Sequence, residues 1–420
     1  MKKRALIIAV TSCVVLGLAA CGDGAGNGAA ASGATASTTP LKVGFLADLT
    51  GAAASSFDGG LEAAKARIEQ ANASGGVNGR KIELVSADTA SSPAQALVAA
   101  QHLVENEKVF GIITESAFVF GASKYLQRQN VPVTGWGIDG PEWIQQPNTN
   151  MFSAYEPVLG QLDGKNYRAT YDGVMLKQQG VTKLATLAFE GSPSSVAQVA
   201  GTLAGAEQEG ITSCYQNYAV PVGGSDFTAI ALQIKQAGCD GLRTSFVESS
   251  DLALIQTLHD AGVSLKVALV GIYGQAILDP GAANQSAQGA FADNQVNFTQ
   301  PGVGTLAMID TLAKYDPTFK KGSVPSYGHW TGWVGADLMI TGLQKAGPDP
   351  TAASFIENMR KVSGYDAGGM LATAVGFGDF GTAKMLPPTP CQYYFQVQGA
   401  QFKALNNGQK ICGKYIPVGS

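Results

Sequence analysis

The sequence predicts an α/β protein with two lobes, each built on a parallel β-sheet covered by helices. Short apolar runs alternate with helical patterns from Leu41 onward, and the same alternation restarts at Lys183. Two successive strand–helix blocks favour two parallel sheets. The stretch from Leu41 to Ser420 is also too long for one hydrophobic core, so two lobes are the expected division.

The first block opens with the apolar strand LKVGFLADL, which starts at Leu41. The helix after it carries four apolar residues on one face: Leu61, Ala64, Ile68 and Ala71. The turn GGVNGR leads into a second strand, KIELVSA. The pair Ser92-Pro93 then predicts a helix start, with proline at the first helical position. VFGIIT and VPVTGW are the third and fourth strands.

The second block repeats the pattern with four more apolar segments: KLATLAFEG, TSCYQNYAV, CDGLRTSFV and VALVGIYG. Ligands of parallel sheets bind beyond the carboxyl ends of the strands. Two such lobes facing each other place the expected ligand site in the cleft between them.

The N-terminal segment has the features of an export signal. Residues 1–20 begin with three positive charges and continue as an apolar run that ends in small residues. Leu18-Ala19-Ala20-Cys21 resembles a bacterial lipobox, which predicts lipidation of Cys21 and a flexible tether over residues 21–40. The protein is then expected on the outer face of the cytoplasmic membrane. An ordinary signal peptide cut nearby, with Cys21 incidental, is the alternative.

The net charge of the chain argues against two classes of partner. Residues 1–20 hold three positive charges and no negative one, so their removal changes the net charge from −4 to −7. A negative body argues against nucleic acid and against electrostatic docking on anionic lipid.

Four cysteines remain after the signal segment and Cys21: Cys214, Cys239, Cys391 and Cys412. An even number in an exported protein suggests two disulfides, and the sequence permits three pairings. The hairpin-like stretch QYYFQVQGAQFKAL favours pairing Cys391 with Cys412, which leaves Cys214 for Cys239. Buried free thiols are the alternative.

Enzyme motifs are absent from the sequence. It contains no CxxC, HExxH or GxSxG, and its three histidines are widely separated along the chain: His102, His259 and His329. The stretch GQKICGK, from Gly408 to Lys414, matches most of a phosphate-binding loop, but Tyr415 replaces the required Ser or Thr. We therefore expect neither an enzyme nor a bound metal or cofactor.

Three segments resemble the N-terminal lobe of the leucine/isoleucine/valine-binding family, the type I periplasmic solute-binding proteins of ABC importers: KVGFLADLTGAAA, ASGGVNGRKIELVSADTASSPAQALVAAQHLV and VFGIITESA. The resemblance continues through DFTAIALQIKQAGCDGL and covers residues 41–400. It implies the type I periplasmic-binding-protein fold, with two Rossmann-like lobes joined by three crossovers. The first lobe would hold residues 41–155 and 293–385, and the second lobe would hold residues 156–292 and 386–420.

The resemblance also implies a function. A monomer would capture a small organic solute and deliver it to an ABC permease and its ATPase. The family favours a branched-chain or other hydrophobic amino acid as the solute. A sensor that uses the same cleft to signal to a membrane or soluble partner is the alternative function.

Candidate ligand-binding residues lie at the predicted strand ends. In the first lobe they are Ser116, Ala117, Phe118, Trp136, Gly137 and Asp139. In the second lobe they are Glu190, Ser192, Glu248 and Tyr273. The hydroxyl of Ser116 and the free amides of the helix after it are suited to an anionic oxygen. Trp136 and Tyr273, one from each lobe, are suited to hold a flat or apolar ligand.

Two positions depart from the family members that bind α-amino acids. The threonine that helps to hold the substrate carboxylate falls on Asp139, and the acidic residue that pairs with the ammonium falls on Tyr273. A second carboxylate repels the substrate carboxylate, and a tyrosine hydroxyl does not neutralise an ammonium. Glu248 or Glu190 could take over that pairing. The departures favour another solute, such as an aromatic or amide-bearing compound.

Overall fold

Five parallel strands form the first sheet in the computed structural model, which describes residues 39–155 and 159–418. Their bounds are Leu41–Ala47 (β1), Ile82–Asp88 (β2), Gly111–Glu115 (β3), Val133–Gly135 (β4) and Met151–Ser153 (β5). Their order across the sheet is β2-β1-β3-β4-β5. Three helices connect the first four strands: Gly60–Ala73 (α1), Pro93–Gln101 (α2) and Phe120–Arg128 (α3).

A small antiparallel sheet stands apart from the two large ones. It joins Gln161–Leu162 (β6) and Lys165–Ala169 (β7) to the C-terminal strand Tyr415–Val418 (β16), in the order β16-β7-β6. No pattern in the sequence predicted this sheet.

The second large sheet is mixed. Its strands are Lys183–Phe189 (β8), Thr212–Val220 (β9), Gly241–Ser245 (β10), Val267–Leu269 (β11), Phe291–Asn294 (β12), Cys391–Gln398 (β13), Gln401–Ala404 (β14) and Ile411–Cys412 (β15). Strands β8 to β12 are parallel, whereas β13 to β15 add antiparallel pairings at one side.

Nine further α-helices complete the described residues: Tyr171–Gln178 (α4), Pro193–Gln208 (α5), Thr228–Ala237 (α6), Glu248–Asp260 (α7), Gln275–Leu278 (α8), Ala282–Ala287 (α9), Val303–Tyr315 (α10), Tyr327–Ala346 (α11) and Ala352–Met359 (α12). The long helix α11 packs along α1 and covers β3 and β4 of the first sheet. Its buried Trp330 lies in the same core cluster as Phe45 of β1. The predicted α/β class is confirmed.

The lobe boundaries proposed at residues 155, 292 and 385 are not tested by this arrangement and stay a prediction. The predicted signal peptide, the lipidation of Cys21 and nearly all of the tether lie outside the described residues. Among the described residues, no helix is both long enough and apolar enough to cross a membrane.

Both predicted disulfides are confirmed. Cys214 of β9 is bonded to Cys239, which lies between α6 and β10. Cys391, the first residue of β13, is bonded to Cys412 of β15. The predicted hairpin between them is also present, as the antiparallel pair β13–β14.

Two Ser-Pro pairs begin helices in different ways. Helix α2 begins at Pro93 as predicted, but the side chain of Ser92 makes no capping hydrogen bond. Helix α5 begins at Pro193, and there Ser192 accepts a hydrogen bond from the backbone N–H of Ser195 at 3.3 Å. Proline suits both starts because the first helical N–H has no partner within the helix.

Candidate functional site

A cavity of about 200 Å³ lies where the carboxyl ends of strands from both large sheets face each other. The first-sheet side contributes the segment after β1, together with Ala117 after β3 and Ile138 after β4. The second-sheet side contributes the segments after β8, β10 and β11, and Asp293 of β12. The start of α11 closes it with Ser326 and Tyr327. This is the cleft position that the sequence predicted.

The structure brings four of the ten predicted residues together around this cavity: Ala117, Ser192, Glu248 and Tyr273. Trp136 lines a smaller adjoining cavity of about 80 Å³, which shares Ile138 and Tyr327 with the larger one. The other five line neither cavity: Ser116, Phe118, Gly137, Asp139 and Glu190. The ligand contacts assigned to all ten residues stay predictions.

Ser116 is held by the protein's own Asp48. The buried Asp48 carboxylate accepts hydrogen bonds from the Ser116 hydroxyl at 2.6 Å and from the Ala117 N–H at 3.1 Å. The Ser116 hydroxyl in turn accepts from the N–H of Phe118 at 3.0 Å. Burial raises the pKa of Asp48, while these hydrogen bonds lower it. The donors that were expected to hold a ligand anion therefore already hold a carboxylate.

Asp139 is hydrogen-bonded to the first residue of α3. Its two carboxylate oxygens accept from the N–H of Phe120 at 2.6 Å and from the indole N–H of Trp143 at 2.8 Å. Burial raises the pKa of Asp139 to about 6. Burial and the nearby Asp139 charge raise the pKa of Glu142 to about 9, so Glu142 is protonated near neutral pH. Asp139 faces this buried network instead of the cavity.

Charged side chains on the second-sheet side form a buried network. The guanidinium of Arg243 donates from Nη1 to Asp293 at 2.7 Å, and its Nε lies 3.8 Å from Asp172. Asp172 also accepts from the hydroxyl of Tyr394 at 2.6 Å, and Asp293 accepts from the amide of Gln392 at 2.8 Å. One cation thus faces two carboxylates, and both Arg243 and Asp293 line the cavity.

Glu248 is the first residue of α7 and lines the cavity. Burial, followed by the charges of Asp251 and Asp58, raises the pKa of Glu248 to about 7. A hydrogen bond from the backbone N–H of Tyr273 acts in the opposite direction. Burial also raises the pKa of Asp251 to about 7, although its carboxylate accepts hydrogen bonds from Thr244 and Gly271.

Aromatic rings supply much of the apolar wall. Phe246 stacks on Phe189 with ring centroids 4.5 Å apart. Tyr327 lies between the two cavities, and its ring is 6.2 Å from Phe57. Together with Ile138 these side chains offer apolar surface to the body of a ligand.

The two favoured aromatic residues do not share a cavity. Trp136 packs against Trp330 and Tyr155, with ring centroids 4.4 and 4.5 Å away. Tyr273 stacks on Phe402 at 4.4 Å, and burial raises the pKa of its hydroxyl. Both rings therefore contribute to core packing as well as to a cavity wall.

A family model described as periplasmic binding protein matches residues 40–401. The chain belongs to the periplasmic binding protein family. This confirms the resemblance found in the sequence and the predicted type I fold. Because the family consists of solute-binding proteins and not of enzymes, the predicted non-enzymatic role is confirmed as well.

Among curated relatives, the Leu/Ile/Val-binding protein homolog 7 of Brucella suis biovar 1 (strain 1330) is 26% identical over 355 residues. The match covers 83% of this chain and 86% of the relative. Homolog 3 of Brucella melitensis biotype 1 (strain ATCC 23456) is 25% identical over 347 residues, with 82% and 88% of the two chains covered.

Solved structures of three solute-binding proteins share the fold. One, from R. palustris in complex with benzoate, has a TM-score of 0.69 at 15% identity and covers 91% of this chain and 98% of its own. The branched-chain amino acid binding protein of Streptococcus pneumoniae with isoleucine has a TM-score of 0.68 at 15% identity, covering 89% and 99%. The fatty acid ABC transporter substrate-binding protein of Thermomonospora curvata has a TM-score of 0.68 at 18% identity, covering 90% and 93%.

Sequence reasoning missed most of the residues that line the cavity of this solute-binding protein, among them Phe57, Gln198, Arg243 and Asp293. Arg243 had a usable signal, because a charged residue inside the apolar strand segment GLRTS needs a buried partner. Its partner Asp293 lies on a different strand, with nothing local to mark it. Phe57 and Gln198 lie in helices and carried no signal of their own.

Proposed function

We propose that this protein captures one small organic solute in the 200 Å³ cavity and delivers it to an ABC permease. The observation that carries the proposal is that residues at the strand ends of both large sheets line one cavity. A ligand in that position contacts both sides at once. No chemical change of the solute is required.

The cavity volume limits the size of the solute. An apolar cavity of about 150 Å³ accommodates benzene. A volume of about 200 Å³ therefore suits a ring or a branched chain with one short polar extension. Benzoate and isoleucine, which are named as the ligands of two of the solved structures above, have this size and shape.

Closure of the two sides explains how occupancy is reported to the permease. A ligand that contacts both sides of the cavity binds the closed form more tightly than the open form. The difference between its two binding free energies is the amount by which it stabilises the closed form. A permease that binds the closed form better is then engaged mainly by loaded protein. The sensor alternative has no observation of its own in its favour.

A thermal-shift screen of the purified protein tests capture. The compounds are leucine, isoleucine and valine, benzoate and hydroxybenzoates, and short-chain amines and amides. A ligand at about 100 times its Kd stabilises the fold by about 2.7 kcal/mol, which is readily measured as a rise in Tm. Capture of a small solute is refuted if no compound of any class raises the Tm.

The position of the protein in the cell is a separate part of the proposal. Residues 1–20 act as a signal, and a lipid on Cys21 holds the protein at the outer face of the membrane. Cys21→Ala is expected to move the protein from the membrane fraction to the soluble fraction. Unchanged membrane association of that variant contradicts lipid anchoring but leaves solute capture untouched.

A further inference from the structure

We propose that the solute carries a positively charged amine and no carboxylate, with the amine at Glu248 and the apolar body against Phe246 and Tyr327. This inference rests on the proposed function and names the chemical class of the solute. It follows from three features of the cavity: its acidic lining, the occupied anion-binding donors and the aromatic walls.

The cavity lining is acidic. Arg243, Asp293 and Glu248 are its charged side chains, and Arg243 is neutralised by Asp293 at 2.7 Å and by Asp172 behind it. Within the described part of the chain, no salt bridge joins the Glu248 carboxylate to a cation, and the two neighbouring charges that do most to raise its pKa, Asp251 and Asp58, are both negative. A bound cation would supply the missing positive charge.

The cavity is unfavourable for a ligand anion, because the donors that would bind it are already hydrogen-bonded to carboxylates of the protein. The amides of Ala117 and Phe120 donate to Asp48 and Asp139, and the Ser116 hydroxyl donates to Asp48. A ligand carboxylate would have to displace a buried protein carboxylate from these donors. Repulsion between two carboxylates in a site that excludes water costs several-fold more than in bulk water.

The residues that border the cavity near Glu248 are suited to bind the carbon skeleton of an amine. Phe246 precedes Glu248 closely in the chain and, like Tyr327 and Ile138, borders the cavity. Aromatic faces attract organic cations as well as burying their carbon skeleton. Seven serines line the same space, and their hydroxyl oxygens are able to accept the remaining ammonium hydrogens. Among them are Ser192, Ser194, Ser245 and Ser326.

Matched ligand series test the assignment on the purified wild-type protein. One series is 2-phenylethylamine, phenylalanine, 3-phenylpropanoate and 3-phenylpropanamide; the other is isopentylamine, leucine, 4-methylpentanoate and its amide. The members of a series share a carbon skeleton and differ only in their amine, carboxylate and amide groups. We expect each amine to bind at least tenfold more tightly than its amino acid, acid and amide partners, by calorimetry and by Tm.

The outcomes separate this inference from the proposed function. Tighter binding of an amino acid, an acid or a neutral amide overturns the amine assignment while solute capture stands. Binding by no member of either series, together with a failed general screen, overturns both. Binding by no member here, but by a carboxylate elsewhere in the screen, overturns the amine assignment alone.

Two variants test the position of the amine. Glu248→Gln keeps the shape of the side chain and should weaken amine binding at least tenfold. Glu207→Gln removes an exposed carboxylate of α5 that does not line the cavity, and should leave affinity unchanged. Equal affinities of the two variants refute the role of Glu248. Should Glu248→Gln not fold, judged by its Tm without ligand, the wild-type series still decides the solute class.

Discussion

We expect the buried pair of Asp139 and Glu142 to make the stability of the protein depend on pH. Burial holds the Glu142 carboxyl protonated in the folded chain, with a pKa of about 9, against about 4.5 for the exposed group. Between those pH values the folded state keeps a proton that the unfolded state releases. The free energy of unfolding therefore falls as pH rises through this window.

The size of the effect follows from the linkage relation. One proton held only by the folded state changes the free energy of unfolding by about 1.4 kcal/mol for each pH unit. From about pH 6 to about pH 8 the wild type should thus lose about 2.7 kcal/mol through Glu142. Asp139, with a pKa of about 6, acts in the same direction at the acidic end of the window.

Glu142→Gln removes this proton but keeps a side-chain N–H that is able to donate to Asp139. We expect the variant to be more stable than the wild type at about pH 8, by about 3–4 kcal/mol, and nearly equal to it near pH 5. Urea unfolding followed by far-UV circular dichroism at several pH values measures the slope.

The exposed Glu83 of β2 provides the matched control. Glu83→Gln should leave the pH slope of the wild type unchanged. The free energy of unfolding of Glu142→Gln could instead change with pH in parallel with that of the wild type over the whole pH range. In that case the folded chain does not hold a proton at Glu142, and the reasoning is wrong.

Three further perturbations have defined outcomes. Arg243→Met leaves buried carboxylates without a cation and should lower the free energy of unfolding by about 3–5 kcal/mol. Adding Asp293→Asn should recover part of that loss. A loss below about 1 kcal/mol would contradict a buried ion pair. Ser192→Ala removes a helix cap and should cost about 1 kcal/mol in urea unfolding, whereas the neighbouring Ser194→Ala should cost almost nothing. The cysteines of the two disulfides are 25 and 21 residues apart. Reduction of each disulfide should lower the free energy of unfolding by about 3 kcal/mol, because the unfolded chain gains loop entropy. An unchanged Tm in reductant would refute this.

Much of the fold could be predicted because its strands are local apolar runs. The quoted segment TSCYQNYAV coincides with β9, Thr212–Val220, and KLATLAFEG contains all of β8. The small sheet could not be predicted in this way. Its strands β7 and β16 are separated by the whole second large sheet in the sequence, and Lys165–Ala169 is polar and only partly buried.

The cleft position could be predicted from topology, since parallel strands present their carboxyl ends at one edge. The direction in which each side chain faces could not. Asp48 and Asp139 both follow strands of the first sheet, and only the tertiary structure shows that both bond to the start of α3 and the segment just before it. Arg243 of β10 and Asp293 of β12 likewise form an ion pair although β11 lies between their strands in the sheet, and no motif in the sequence links them.

The two carboxylates at the start of α3 have a consequence for redesign of the protein. Asp48 and Asp139 each accept from a different backbone N–H, so neither one alone occupies that helix end. Replacing Asp139 with threonine, to resemble relatives that bind amino acids, would leave Asp48 on the Ser116 hydroxyl and the Ala117 N–H. A switch of specificity toward carboxylates would therefore need both positions changed together, and a search through single substitutions would miss it.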